Sequence, residues 1–273
     1  MLREYPLETP FGRLNIARGP ANGPLLLLLH GFSNNWKMFL PILPTLIPAW
    51  EVVTFDHRGH GSSARIPAGY TAAEFYQDAV AAFEHLATAD IYLLGHSMGG
   101  SMGLYLAQAY PEKVRGVVTG DTPLVLESHI QVMNNRRNTR LFGLRRRLAG
   151  QSPQELARRG LSLSQAEELS HLDPAVMDYH ASSRVAEFFA GIRDVNFDLI
   201  RCLLFITQAD PAKGGVLQDD EIPAVLARHP EFHFQCFDLG HDLDVGLGPQ
   251  SAFYQAALAF LESIRPSRLE ENA

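Results

Sequence analysis

The run Ile91-Tyr92-Leu93-Leu94-Gly95-His96-Ser97-Met98-Gly99-Gly100 constrains this chain more than any other stretch. Four apolar residues with the look of a buried strand end in Gly-x-Ser-x-Gly. Residues 101–109 then continue with helical composition. This is the sequence of a sharp strand-to-helix turn that lifts a serine hydroxyl out of the fold. Backbone passes close to backbone in such a turn, so side chains at Gly95 and Gly99 would clash. Ser97 is therefore expected to be a nucleophile.

A serine hydroxyl is a weak nucleophile at neutral pH and needs a base, which in turn needs an acid to orient it. Two late segments are expected to supply them. Residues 203–209 form an apolar strand ending in Asp210-Pro211, and residues 232–239 lead into Gly240-His241. Catalytic groups gather at the carboxyl ends of strands in open parallel sheets. The expected set is Ser97 as nucleophile, His241 as general base and acid, and Asp210 as the orienting carboxylate. Asp121, which also follows an apolar strand, is the rival acid, and Asp-Pro at 210–211 is also a common turn former.

An oxyanion needs donors. The Met98 N–H follows the nucleophile. The turn Leu29-His30-Gly31-Phe32 is placed to offer the Phe32 N–H, and the helix start at Met98 adds its dipole. Phe32, Trp36 and Met98 are expected to wall the substrate pocket.

The chain has 273 residues, 46% of them hydrophobic, enough for one α/β domain with an insertion. Its formal charge of −7 argues against nucleic acid as a partner, since phosphate binding needs a basic footprint. The start of the chain lacks a signal-peptide pattern, and the apolar run at 24–29 is too short to span a bilayer. A cytoplasmic protein with no membrane partner is expected. Cys202 and Cys236 fall in strand candidates and read as reduced core residues. No histidine or cysteine spacing suggests a metal site.

Strand candidates lie at 13–17, 25–29, 52–55, 91–94, 114–119, 202–207 and 232–237. Most are short continuous apolar runs, as in a parallel sheet covered on both faces. Between them, Thr71-Ala72-Ala73-Glu74 opens a helix to about 87, another runs from 98 to about 110, and Pro249 introduces a last one to about 264. Residues 123–196 break this alternation. They hold capping boxes at Ser152–Glu155 and Ser164–Glu167, a helix start at Asp173-Pro174, and Leu141, Leu144 and Leu148 on one helical face. The expectation is a core of 1–122 and 197–273, interrupted by a helical lid at 123–196. Within the lid, residues 136–147 carry Arg136, Arg137, Arg140, Arg145, Arg146 and Arg147. They read as a solvated face or as a patch for an anionic partner or substrate.

His30-Gly31-Phe32, the Asp56–Ser62 turn, Gly95–Gly100, Asp210 and Gly240-His241 together resemble the α/β-hydrolase family across nearly the whole chain. The resemblance implies an eight-stranded, mostly parallel, doubly wound sheet and a hydrolase without cofactor. It also implies that Asp56–Ser62 is structural. Ser97 disfavours the aspartate-nucleophile branch of dehalogenases and epoxide hydrolases. Similar elbows occur in carboxylesterases, enol-lactonases, perhydrolases and hydrolases of ring-cleavage products. The expected activity is cleavage of a small to medium-sized carboxylic ester through an acyl-enzyme. The alternatives are carbon–carbon hydrolysis of a ring-cleavage diketone acid and a receptor role on the same scaffold.

Overall fold

The computed structural model describes residues 2–67, 69–86 and 90–266. Eight strands form one sheet: β1 (Arg3–Thr9), β2 (Gly12–Arg18), β3 (Leu25–Leu29), β4 (Glu51–Asp56), β5 (Ile91–His96), β6 (Val114–Gly120), β7 (Leu203–Ala209) and β8 (His233–Phe237). Their spatial order is β1-β2-β4-β3-β5-β6-β7-β8. All pairings are parallel from β4 to β8, whereas β2 is antiparallel to both β1 and β4. The five leucines of β3 are all buried, because both faces of a central parallel strand are covered.

Seven of the eight strands coincide with the strand candidates of the sequence. β1 does not stand out, because Arg-Glu-Tyr-Pro-Leu-Glu-Thr is charged and contains Pro6. Both features suit an edge strand, where charge discourages further pairing and a missing N–H costs nothing if it points outward. β8 is the other edge and is mostly exposed. Cys236 is therefore exposed rather than a core residue, while Cys202 is half-buried just before β7.

Two apolar layers flank the sheet. One holds the Ala72–Leu86 and Met98–Ala109 helices, with Phe75, Phe83 and Leu104 buried. The other holds Trp50, Phe39 and the Ala252–Ile264 helix, with Phe253 and Leu261 buried. Ser251 caps that last helix, two residues beyond Pro249, which lies in the preceding 3-10 segment. Among the described residues, no helix is long and apolar enough to cross a membrane.

Between β6 and β7 the described chain is helical and contains no strand. Ser152 and Glu155 form the expected capping box. The second box is Ser162 with Gln165, two residues before the expected Ser164–Glu167 pair. Asp173 caps the turn at Pro174–Met177 as expected. On the Arg136–Leu148 helix, Leu148 is buried but Leu141 and Leu144 are exposed. The stripe turned toward the rest of the molecule runs instead through Phe142, Arg145 and Leu148.

The turn after β4 is structural. Arg58 lies in a bidentate pair with Asp78, both buried. Asp56 accepts from the N–H groups of Trp36 and Ser62. Two imidazoles tie this turn to the loop after β3. His30 accepts from the His57 N–H at Nε2 and donates from Nδ1 to the Gly31 carbonyl. His60 accepts from the Ser33 N–H and donates to the Arg58 carbonyl. Each ring needs one bare and one protonated nitrogen, so only the neutral imidazole fits.

Burial pushes these rings in the same direction. His30 and His57 are held below the ordinary histidine range, and His60 is lowered to about 3. His96 is lowered to about 4, and His129 and His180 to about 3. An unfolded chain restores them to about 6.5. Neutral imidazoles thus contribute stability that is complete above pH 6.5 and is lost as pH falls toward the folded values. Each proton taken up only by the unfolded chain costs roughly 1.4 kcal/mol per pH unit. The melting temperature is expected to be flat above pH 6.5 and to fall steeply from there toward about pH 4. A melting temperature constant across that interval, followed by calorimetry, contradicts this account.

Candidate active site

Ser97 sits between β5 and the Met98–Ala109 helix with φ 53° and ψ −118°, a conformation that side chains rarely adopt. The neighbouring glycines make it attainable. A Cβ on Gly95 would lie 2.3 Å from the Gly99 carbonyl oxygen, and one on Gly99 would lie 2.0 Å from the Leu29 carbonyl oxygen. The Ser97 N–H donates to the Gly120 carbonyl at 2.8 Å, fixing the turn to the end of β6.

His241 reaches Ser97 from the loop after β8. The Ser97 hydroxyl donates to His241 Nε2 at 3.0 Å, and His241 Nδ1 donates to Asp121 Oδ2 at 2.5 Å. His96 Nε2 donates to the His241 carbonyl at 2.7 Å and holds the loop in place. The structure thus joins Ser97 and His241 as expected, but it replaces Asp210 with Asp121.

The reason lies in where each carboxylate finds its donors. Asp210 Oδ1 accepts from the Ala212 N–H and caps the Pro211–Lys213 turn, so the Asp-Pro pair acts as a turn former. Asp121 is fully buried. Its Oδ1 accepts from the N–H groups of Ala209 and Leu217, and its Oδ2 from Val216 and His241. Gly214 (φ 98°) and Gly215 bend the loop after β7 back to present those amides. A Cβ on Gly215 would lie 2.4 Å from the Ala209 carbonyl oxygen.

Ser97 and His241 open onto a cavity of about 740 Å³. Phe32 and Met98 line it. The bend at Gly31 is tight, since a Cβ there would lie 2.8 Å from His96 Nδ1. Trp36, expected in this wall, is not there. Asn35 caps the 3-10 helix Trp36–Phe39 and turns the indole into the core on the other side of the sheet, where its Nε1 donates to Glu4. The opposite wall comes from the helices between β6 and β7, including Leu126, His129, Phe142, Arg145 and Phe188. Phe32 meets this wall directly, with ring centroids 5.8 Å from Phe142, 5.6 Å from Phe188 and 4.4 Å from His180. His129 and His180 were not singled out in the sequence, where lone histidines in polar helices carry no signal.

The sequence pattern of the alpha/beta hydrolase fold family matches residues 24–209. The chain belongs to that family. A 2-(acetamidomethylene)succinate hydrolase of Mesorhizobium japonicum is 33% identical over 129 residues, 46% of this chain and 46% of that protein. Epoxide hydrolase B of Mycobacterium tuberculosis is 32% identical over 104 residues, 37% of this chain and 29% of that protein. The chain thus spans less than half the length of these curated relatives. A crystal structure of E-2-(acetamidomethylene)succinate hydrolase superposes with a TM-score of 0.70 at 19% identity, covering 96% of this chain and 100% of that one. At that identity the likeness concerns the fold.

The geometry separates the two aspartates experimentally. A fluorophosphonate probe is expected to label wild-type protein and not Ser97→Ala. Asp121→Asn should slow labelling by about 10³-fold or more, because the amide favours the wrong histidine tautomer. Asp210→Asn should label within a few-fold of wild type. Intact-mass kinetics decide the matter, and equal slowing by both variants would contradict the Asp121 assignment.

Proposed function

We propose that this protein is a serine hydrolase that cleaves a carboxylic ester of a small to medium-sized substrate through an acyl-enzyme. The observation that carries this reading is the unbroken chain from Ser97 Oγ through His241 to Asp121, open to the cavity at its serine end.

In the proposed sequence, Ser97 Oγ attacks the ester carbonyl carbon while its proton passes to His241 Nε2. The imidazolium is stabilised by Asp121, and the oxyanion accepts from the Phe32 and Met98 N–H groups. Collapse of the tetrahedral intermediate breaks the bond to the alcohol oxygen, which takes the proton from His241. His241 then draws a proton from water, whose oxygen attacks the acyl carbon. The second collapse returns the proton to Ser97 and frees the carboxylic acid. None of these steps requires a cofactor.

Residues 123–196 act in this reading as a lid over a core of 1–122 and 197–273, and they set which acyl groups fit. The relatives named above act on different bonds, so their names do not choose the substrate. Ser97 at the elbow favours an acyl-enzyme over the epoxide opening that one relative's name describes.

Turnover of 4-nitrophenyl esters from acetate to dodecanoate tests the proposal. Wild type is expected to show a chain-length optimum set by the cavity, and Ser97→Ala to lose about 10⁴-fold or more in kcat. Hydrolysis that survives in Ser97→Ala, or a folded wild type that turns over none of the series, overturns it.

A further inference from the structure

The Arg136–Leu148 helix divides its arginines unequally. Arg146 is paired with Asp178 at the surface, and Arg136, Arg140 and Arg147 are exposed. Arg137 is also exposed, at the cavity edge beside Gly214. Arg145 differs from all of them. It lines the cavity that holds Ser97 and His241, and its Nε is shut off from solvent without a hydrogen-bond partner. Among the described residues, no carboxylate lies within salt-bridge distance of its guanidinium.

Arg145 as a whole is half-buried, with its Nε withheld from water and no carboxylate paired to it. A guanidinium partly withdrawn from water without a counter-ion is costly, and it is tolerated where a ligand completes it. Burial accordingly presses the Arg145 pKa down, and the one acidic group that offsets this is Glu168, which stands in the same cavity without touching it. Glu168 is itself engaged by Asn34 and Ser164, and burial raises its pKa. It therefore leaves the planar fork of Arg145 free. That fork matches a carboxylate with two parallel N–H···O bonds.

We infer that Arg145 is the binding site for a carboxylate carried by the acyl part of the substrate, so that the preferred ester is a hemiester of a dicarboxylic acid. The inference rests on the ester reading for its chemistry and on Arg145 alone for its selectivity. Arg136, Arg140, Arg146 and Arg147 form a solvated face, and Arg137 stands at the cavity edge.

The test compares 4-nitrophenyl hemiesters of succinic, glutaric and adipic acid with neutral 4-nitrophenyl esters of the same chain lengths. The quantity read is the ratio of kcat/KM, charged over neutral. For at least one length that ratio is expected to exceed unity in wild type and to fall about tenfold or more in Arg145→Met, mainly through KM, with partial recovery in Arg145→Lys. A ratio unchanged by Arg145→Met overturns the inference. Glu168→Gln keeps Arg145 and removes the neighbouring negative charge, so it should raise the ratio. This arm decides the question if Arg145→Met does not fold, and a ratio that stays or falls overturns the inference. Binding is then separated from chemistry by titrating Ser97→Ala with glutarate in a calorimeter. Heat that disappears in Ser97→Ala with Arg145→Met upholds the carboxylate site even if no ester is turned over. Absence of heat in Ser97→Ala itself refutes the site and leaves the ester reading standing on wild-type turnover.

Discussion

The hydrogen bond from His241 to Asp121 depends on a carboxylate that the fold has taken entirely out of water. Moving such a group into the interior costs several kcal/mol after relaxation, and donors must offset that cost. Here they are backbone amides. Ala209 supplies one from the end of β7, and Val216 and Leu217 supply two from the loop beyond it. A hydrogen bond to a charged group contributes about 1.5–3 kcal/mol, so three amides and an imidazole are of the right order to hold the charge. Backbone amides cannot swing away as side chains can, and one of these three is held in the sheet itself. They fix the carboxylate in the position from which it accepts from His241.

The same logic explains why the loop after β3 is tied down by imidazoles. His30 and His60 each accept one backbone N–H and donate to one carbonyl, bridging the Asp56–Ser62 turn to residues 31–33. The loop that carries Phe32 is thus held by groups whose partners are backbone atoms. The Arg58–Asp78 pair anchors that turn to the Ala72–Leu86 helix. Polar groups are spent generously at the carboxyl ends of the strands, where the sheet has no hydrogen-bonded continuation of its own.

Much of this was legible in the residues. The β5 run with its glycines carried the Ser97 elbow, and the continuous leucines of β3 carried the centre of the sheet. His241 was legible from Gly240 and the strand before it. Asp210 misled because sequence order and the strand-end position describe Asp121 and Asp210 equally well. What separates them is where amide donors converge, a property of the tertiary fold. One local trace existed, the Gly214-Gly215 pair, which bends the loop after β7 back over Asp121. Trp36 misled for a similar reason. Its distance in sequence from Phe32 is small, but a turn closed by the Asn34 N–H to the Gly31 carbonyl, with Ser33 at φ 71°, lies between them, and the two aromatic rings pack on opposite sides of the sheet.

The helices between β6 and β7 obey different rules. Their interior positions are set by packing against Phe32 and its neighbours, not by pairing with the sheet, so composition alone misjudges their faces. Leu144 looks like a core residue and is exposed, while Arg145 looks like a surface residue and faces the cavity. Successive residues on a helix point about 100° apart, so one position decides whether an arginine meets Asp178 at the surface or lines the cavity beneath it. A basic run in the sequence therefore measures the wrong quantity. Five of its six arginines lie at the surface or the cavity rim, and only Arg145 has its Nε shut off from solvent without a partner.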